Sequence, residues 1–138
     1  MNITKFLAID YGVKKVGLAT GDTETRIASP FKILANSANL LDELKVICQE
    51  EKIDKIVIGV PTGLKGVKSE QYEQVIAFSN KLSQDVGLEV IQQDENLSSS
   101  YAQRLLQGTK SRGQDDAVAA MIILQSYFDK VRSPKDEV

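Results

Sequence analysis

The sequence predicts an α/β protein built on a mixed five-stranded sheet, with three antiparallel strands followed by parallel additions and with helices on both faces. Two observations support this fold class. The first three strand candidates are separated only by short turn-rich stretches, which favours an antiparallel meander. After residue 39, strand patterns alternate with helical ones, and such alternation adds parallel strands through right-handed crossovers. Because the 138 residues contain no internal repeat or linker, we expect one domain over 1–138 with a disordered tail at 132–138.

Apolar runs bounded by turn residues predict the strands at residues 5–10, 16–20, 27–34, 55–60 and 88–93. Helical spacing predicts a first helix that is capped by Asn39. Its apolar face is formed by Leu40, Leu41, Leu44, Ile47 and Cys48. A second helix is predicted at 71–86, before Gly87, and a short third one begins at Ser98 or Ser100 and ends at Gly108. The last helix, 116–131, is apolar around most of its circumference and is expected to be largely buried.

Histidine is absent from the chain, which excludes several kinds of catalysis. Serine or cysteine nucleophiles activated by histidine, and zinc held by histidine, are impossible within this chain. A bound metal must then be held by oxygen atoms, which favours Mg²⁺ or Mn²⁺. The net charge of −2 argues against a nucleic-acid partner unless the basic residues are clustered.

The cysteine content and the hydropathy pattern bear on the compartment. The single cysteine, Cys48, cannot form an internal disulfide, and its apolar position in the first helix favours a buried structural thiol. A run of about 18 apolar residues and a secretory leader are both lacking. We therefore expect a soluble protein of the reducing cytoplasm.

The most informative motif follows the first strand and reads Asp10-Tyr11-Gly12-Val13-Lys14-Lys15-Val16-Gly17. A buried strand that ends in an aspartate places a carboxylate at the rim of a sheet. Gly12 lets the backbone pass close to a ligand and Lys14 adds a cation, a combination that suits a metal ion and a phosphate together. An ordinary Asp-Gly hairpin turn is the structural alternative.

Two further pairs of carboxylates lie next to predicted elements. Asp94 and Glu95 follow the fifth strand, and because adjacent side chains on a strand point to opposite faces, only one of them can face Asp10. Asp115 and Asp116 lie at the start of the last helix, where an aspartate is also a routine N-cap. In open sheets, ligands collect beyond the carboxyl ends of the parallel strands. The sequence therefore predicts a site at that edge, with solvated or capping roles as the alternatives.

The element order resembles the ribonuclease H-like fold, and from about residue 6 to residue 128 the chain resembles the YqgF/RuvX family of bacterial Holliday junction resolvase-like proteins. Four segments in the expected order carry the resemblance. They are Asp10-x-Gly12-x-Lys14-x-x-Gly17, the loop with Gly59 and Pro61, Asp94-Glu95-x-Leu97-Ser98, and Asp116 leading into Ala119-Ala120-Met121-Ile122-Ile123-Leu124-Gln125-Ser126-Tyr127-Phe128. The resemblance implies a nuclease that matures the 5′ end of pre-16S ribosomal RNA. An older assignment by analogy is a junction resolvase.

The resemblance selects Glu95 rather than Asp94, and it implies that Asp10, Glu95 and Asp116 are the catalytic residues and metal ligands. Three carboxylates in a poorly solvated cleft repel each other unless cations neutralise them. One or two Mg²⁺ or Mn²⁺ ions would do so, and a pair about 4 Å apart could clamp a scissile phosphate. Basic residues expected around the cleft are candidate nucleic-acid contacts, with simple solvation as the alternative for each. They are Lys14, Lys15, Lys65, Lys68, Arg104, Lys110 and Arg112.

Three positions depart from the family pattern. Val13 stands where a threonine is usual, Asn96 where an arginine follows the glutamate, and Gln114 where a lysine is common. Asn96 cannot replace the bidentate phosphate contact of an arginine. We therefore expect weaker substrate binding, or compensation by Arg104 or Arg112.

These observations together predict a divalent-metal nuclease that acts on RNA rather than DNA. Its expected partners are ribosomal precursor particles, without membrane contact, and the expected state is a monomer or weak homodimer. Two other classes stay open. A small kinase or ATPase would share the Asp-x-Gly loop after a strand, although a second glycine-rich phosphate loop and a second domain are lacking in the sequence. A nuclease-like scaffold would bind RNA or a ribosome-assembly partner without cutting.

Overall fold

The computed structural model of the chain describes residues 3–61, 70–94 and 115–131. These residues form one sheet of five strands in the order β3-β2-β1-β4-β5. The elements in chain order are β1 (Lys5–Tyr11), β2 (Lys15–Asp22), β3 (Ser29–Ala35), α1 (Leu40–Glu50), β4 (Lys55–Val60), α2 (Glu70–Val86), β5 (Glu89–Asp94) and α3 (Asp115–Lys130). β2 is antiparallel to β1 and β3, whereas β4 is parallel to β1 and β5. The predicted mixed sheet is confirmed.

The side chains of β1 alternate between two cores, one on each face of the sheet. Leu7 and Ile9 pack in a core that also contains the buried residues of α1 and α2. Phe6 and Ala8 point to the other face and pack in a core built on α3. All four side chains are at most 4% exposed. The sheet is therefore covered by helices on both faces, as the sequence predicts.

The direction of α3 relative to β1 decides which ends of the two elements meet. Phe128, near the end of α3, has its ring centroid 5.5 Å from that of Phe6, which lies near the beginning of β1. Going back from Phe128 to Asp116 spans about 18 Å of helix, and going from Phe6 to Asp10 spans about 13 Å of strand. The beginning of α3 therefore lies at the edge of the sheet where β1 and β4 end.

Two predicted boundaries in the antiparallel part were wrong. The stretch from Gly21 was expected to be a turn, but β2 continues to Asp22, whose carboxylate then accepts the backbone N–H groups of residues 24 and 25. β3 begins at Ser29 rather than at residue 27. The reason is that Gln125 of α3 binds this backbone: its Nε2 donates to the carbonyl of Arg26, and its Oε1 accepts the N–H of Ala28.

The other predicted boundaries agree to within one residue, and β4 agrees in full. α1 begins after Asn39 as expected, but the Asn39 side chain makes no capping hydrogen bond. Instead the Asn39 backbone N–H donates to Oγ of Ser37. The predicted helix ending at Gly108 and the predicted tail at 132–138 lie outside the described residues. None of the described helices is long and apolar enough to cross a membrane.

Among the residues that the structure describes, two other than glycine have a left-handed backbone. Arg26 has φ of 57° and Lys52 has φ of 55°. This conformation brings Cβ close to the carbonyl oxygen and costs on the order of 1 kcal/mol per residue. Lys52 lies in the exposed turn between α1 and β4, whereas Arg26 lies in the connection between β2 and β3.

Cys48 is buried against the core of α1, and burial raises the pKa of its thiol to about 11. At pH 8 the thiolate is therefore a small minority, and its fraction increases about tenfold per pH unit up to that pKa. We expect native protein to react with iodoacetamide at pH 8 at least about 100-fold more slowly than protein unfolded in urea. Mass spectrometry of quenched samples measures both rates. Equal rates would show that the thiol is accessible in the folded protein, which would contradict the burial of Cys48.

Candidate active site at the carboxyl edge of the sheet

Asp10 lies near the end of β1, between two glycines on the neighbouring strands. Gly17 of β2 is its antiparallel partner. On the other side, the last paired positions of β1 and β4 are Ile9 and Ile58, so Gly59 is the next residue beside Asp10. Gly17 and Gly59 are buried and Asp10 is half-buried. Because both neighbours are glycines, neither strand places a side chain beside the carboxylate on this face of the sheet.

The hairpin between β1 and β2 follows Asp10 and carries two exposed lysines, Lys14 and Lys15. Asn36 fixes this loop from the end of β3. Its backbone N–H donates to the carbonyl of Lys14 at 2.9 Å, and its Nδ2 donates to the carbonyl of Gly12 at 2.7 Å. A Cβ atom at Gly12 would lie 2.5 Å from the backbone oxygen of Lys15, so a larger residue would force the loop to shift. The lysines are therefore presented by a constrained turn.

Asn36→Ala is expected to loosen this turn, because it removes the Nδ2 hydrogen bond to Gly12 and leaves that carbonyl without the bond. We expect a loss of about 1 kcal/mol in the free energy of unfolding, measured by urea denaturation. The matched control is Asn39→Ala, since the Asn39 side chain is exposed and caps nothing. It should change stability by less than about 0.5 kcal/mol. Equal effects of the two variants would contradict the constraint by Asn36.

The end of β5 shows which face of the sheet Asp94 occupies. Val90 packs with the core of α1 and α2, and Ile91 packs with the core of α3. Strand alternation therefore places Gln93 on the α3 face, which is the face of Asp10, and Asp94 on the opposite face. Asp94 is exposed. Glu95 lies outside the described residues.

The start of α3 brings position 116 to the same edge. Asp116 lies in the first turn of the helix. It falls on the same stripe of the helix as Ala120, Ile123 and Leu124, which are at most 1% exposed and pack against the sheet. The side chain of Asp116 lies outside the described part. The backbone of α3 thus brings a second acidic position to the carboxyl edge, on the face of Asp10.

The structure describes only some of the predicted basic residues and loop residues. Lys14 and Lys15 lie at the edge of the site, Gly59 is buried, and Pro61 is half-buried directly after β4. The remaining cations lie outside the described residues; they are Lys65, Lys68, Arg104, Lys110 and Arg112. Within residues 3–61, 70–94 and 115–131, no group of three or more acidic, cysteine or histidine side chains is placed to hold a metal ion.

The donor chemistry of the described part suits a hard cation. Asp10 supplies carboxylate oxygens, and the residues beside it on the neighbouring strands are glycines without side chains. Mg²⁺ and Mn²⁺ prefer oxygen ligands and are commonly held by one or two carboxylates in phosphate-ester chemistry. The residues that the structure describes at this edge therefore fit a divalent ion.

Two residues at this edge were missed by the sequence reasoning. Asn36 holds the hairpin loop through a contact between residues 24 positions apart. Gln93 is only 8% exposed and is the β5 partner of Gly59 in β4. One strand, β4, therefore lies between Gln93 and the strand of Asp10. For Gln93 a signal was present in the sequence, since a polar residue occupies the strand position where alternation with Ile91 predicts an apolar one. Asn36 gave no such signal.

Solved structures share this architecture. RuvC of Thermus thermophilus in complex with a Holliday junction substrate matches with a TM-score of 0.59 at 10% identity, covering 93% of this chain and 96% of that one. The fowlpox virus resolvase in complex with Holliday junction DNA also gives a TM-score of 0.59, at 14% identity, over 94% of this chain and 100% of that one. These matches place the chain in the class of ribonuclease H-like folds.

Sequence comparison gives the particular family. A family model described as "RuvX: Holliday junction resolvase" matches residues 4–130, and the chain belongs to this family. A relative from Rickettsia africae (strain ESF-5) is 34% identical over 134 residues, covering 92% of this chain and 87% of the relative. One from Shewanella denitrificans is 35% identical over 130 residues, covering 89% and 92%. Both relatives are provisionally named pre-16S rRNA nuclease.

Proposed function

We propose that this protein is a divalent-metal-dependent nuclease that trims the 5′ end of pre-16S ribosomal RNA, with Asp10, Glu95 and Asp116 as the metal ligands. The observation that carries the proposal is the position of Asp10 between two glycines at the carboxyl edge, where the start of α3 also lies. The provisional names of the relatives favour precursor rRNA as the substrate.

The alternation of side chains along β5 supports Glu95 as the second ligand. Because Ile91 and Gln93 belong to the α3 face, continued alternation predicts position 95 on the face of Asp10. Asp116 lies on the stripe of α3 that faces the sheet. The proposal thus draws its carboxylates from the end of β1, from the residue that follows β5 and from the first turn of α3.

The carboxylates and the lysine of the site would have different roles in cleavage. Asp10, Glu95 and Asp116 would hold the ion or ions through the negative charge of their carboxylates. Mg²⁺ or Mn²⁺, when bound, supplies the positive charge that activates the attacking water and stabilises the leaving oxygen. Lys14, on the turn fixed by Asn36, contacts a phosphate of the RNA backbone and orients the strand.

The exposed lysines also explain how a chain with a negative net charge could bind RNA. Lys14 and Lys15 lie on the hairpin that borders the site. Cations beside an acidic centre can attract a polyanion even when the whole chain carries a charge of −2. We expect RNA binding to weaken steeply with added salt, because each phosphate contact releases counterions.

Cleavage of matched substrates tests the proposal. The protein is incubated in Mg²⁺ or Mn²⁺ with a pre-16S rRNA fragment that spans the mature 5′ end, with the same sequence as DNA, and with a four-way DNA junction. We expect cleavage of the RNA that is lost in EDTA. Preferential cutting of the junction would support a resolvase instead. RNA binding without turnover in either metal would support a scaffold that does not cut.

A further inference from the structure

A cavity of about 350 Å³ lies at the amino-terminal edge of the sheet, at the opposite end of β1 from Asp10. Its wall includes Phe6 at the beginning of β1 and Tyr127 and Phe128 at the end of α3. Cavities that bind small molecules start at about this volume. Its location makes it separate from the carboxyl edge, and its residues take no part in the proposed cleavage.

One wall of the cavity is aromatic. The ring centroid of Phe6 lies 5.5 Å from those of both Tyr127 and Phe128, with the Phe6 and Phe128 rings in an edge-to-face arrangement at 83°. Tyr127 is half-buried and presents part of its surface at the cavity. Aromatic surfaces of this kind accept planar rings, and every nucleobase offers a planar face or edge.

The remaining wall is cationic and hydroxylic. Arg26 and Lys55 both line the cavity together with Thr23, and the described lining contains no carboxylate. Lys55 pairs with Glu89 at 3.5 Å, but the Lys55 side chain is 42% exposed and that of Glu89 is 61% exposed, so solvent screens the pair. A phosphate at this wall could accept charge-assisted hydrogen bonds from both cations.

The position of Arg26 is maintained by other parts of the fold. Its backbone has φ of 57°, a conformation that favours glycine. The Arg26 N–H donates to the carbonyl of Asp22 at 2.9 Å, and the Arg26 carbonyl accepts from Nε2 of Gln125 at 3.0 Å. Its guanidinium also donates to the carbonyl of Val131 at 3.4 Å. These hydrogen bonds hold the backbone and the guanidinium of Arg26 at the wall of the cavity.

We propose that this cavity binds a 5′-phosphorylated nucleoside, with the base against the aromatic wall of Tyr127 and the phosphate between Arg26 and Lys55. The same chemistry is found in a free mononucleotide and in the 5′-terminal nucleotide of an RNA. Both the ring surface and the two cations are needed, so neither a nucleoside nor inorganic phosphate alone should bind well. The site is independent of the metal-binding edge.

Isothermal titration of the full chain with 5′-AMP, adenosine and inorganic phosphate tests the site. We expect 5′-AMP to bind at least about tenfold more tightly than adenosine or phosphate, since each of these lacks one half of the contacts. Titrations with a short RNA carrying either a 5′-phosphate or a 5′-hydroxyl then distinguish the two sources. Tighter binding of the phosphorylated RNA than of 5′-AMP indicates an RNA end, and tighter binding of 5′-AMP indicates a free nucleotide.

The variant Arg26→Gly removes the guanidinium while suiting the left-handed backbone, so the fold is expected to survive. Lys52→Gly is a matched control, because it also removes one positive charge at a left-handed position but lies outside the cavity lining. We expect Arg26→Gly to weaken 5′-AMP binding at least about tenfold and Lys52→Gly to change it less than about twofold. Both melting temperatures should stay within about 4 °C of wild type.

Three results would overturn the proposal. They are undetectable binding of 5′-AMP at about 10 mM, equal affinity for adenosine and 5′-AMP, and equal weakening by the two glycine variants. Asp10→Asn separates this site from the cleavage site, since it should leave 5′-AMP affinity unchanged. If Asp10→Asn weakens 5′-AMP binding as much as Arg26→Gly does, the nucleotide binds at the carboxyl edge and the cavity is not its site.

Discussion

Asp10→Asn is expected to lower the rate of Mn²⁺-dependent cleavage of a pre-16S rRNA fragment by roughly 1000-fold. The substitution keeps the shape of the side chain but removes the negative charge that would hold a cation at the end of β1. Losing about 4 kcal/mol of transition-state stabilisation corresponds to this factor. Single-turnover cleavage, followed on a denaturing gel with enzyme in excess over RNA, measures the rate.

The matched control is Asp94→Asn, the same chemical change at the same edge of the sheet. Asp94 is exposed and lies on the face opposite to Asp10. We expect its rate to stay within about threefold of wild type, since exposed substitutions of this kind have small effects. Equal cleavage by wild type and Asp10→Asn would refute the assignment of Asp10.

Thermal melting gives a second readout for Asp10 that does not depend on turnover. A metal that binds only the folded protein stabilises it by about 2.7 kcal/mol at 100 times its dissociation constant. For a chain of this size, that raises the melting temperature of wild-type protein by roughly 10 °C. The increase should be much smaller in Asp10→Asn, while the melting temperatures measured without Mg²⁺ or Mn²⁺ should be nearly equal for the two proteins.

Phe128→Ala is expected to destabilise the protein by about 3–5 kcal/mol, because it removes a large buried side chain from the core under α3. Phe128 is 3% exposed. Its ring packs edge-to-face on Phe6, and a Cβ at Gly21 would lie only 2.8 Å from it. The melting temperature should fall by roughly 10–20 °C. Urea denaturation and calorimetry measure both quantities.

Phe128→Ala should also lower the cleavage activity at the carboxyl edge of the sheet. α3 carries Asp116 in its first turn and is anchored at its far end by Phe128. Loosening that anchor lets the helix shift, so we expect cleavage at 20 °C to fall even where most of the protein is folded. Lys130→Ala, at an exposed position of the same helix, should change stability by less than about 0.5 kcal/mol. A loss below about 1 kcal/mol in Phe128→Ala would contradict its role as an anchor.

Several parts of the fold could be predicted because their signals are local. β4 is a continuous apolar run bounded by polar residues and a proline, and its limits at Lys55 and Val60 were predicted correctly. The edge of the sheet that carries the candidate active site was predicted in the same way, since Asp10 directly follows a buried apolar run. Where a segment depends on a distant partner, local patterns failed: β3 begins two residues later than predicted because Gln125, almost 100 residues away, binds the preceding backbone.

By itself, the sequence determined the fold class, the family resemblance and the position of Asp10 at the end of a strand, because hydrophobic periodicity and turn residues act between close neighbours along the chain. Only the tertiary structure decided that Gly17 and Gly59 flank Asp10, that Asn36 holds the lysine-bearing turn, and that a cavity forms beside Arg26. Strand register and long-range hydrogen bonds join residues far apart in sequence, and no local pattern carries that information.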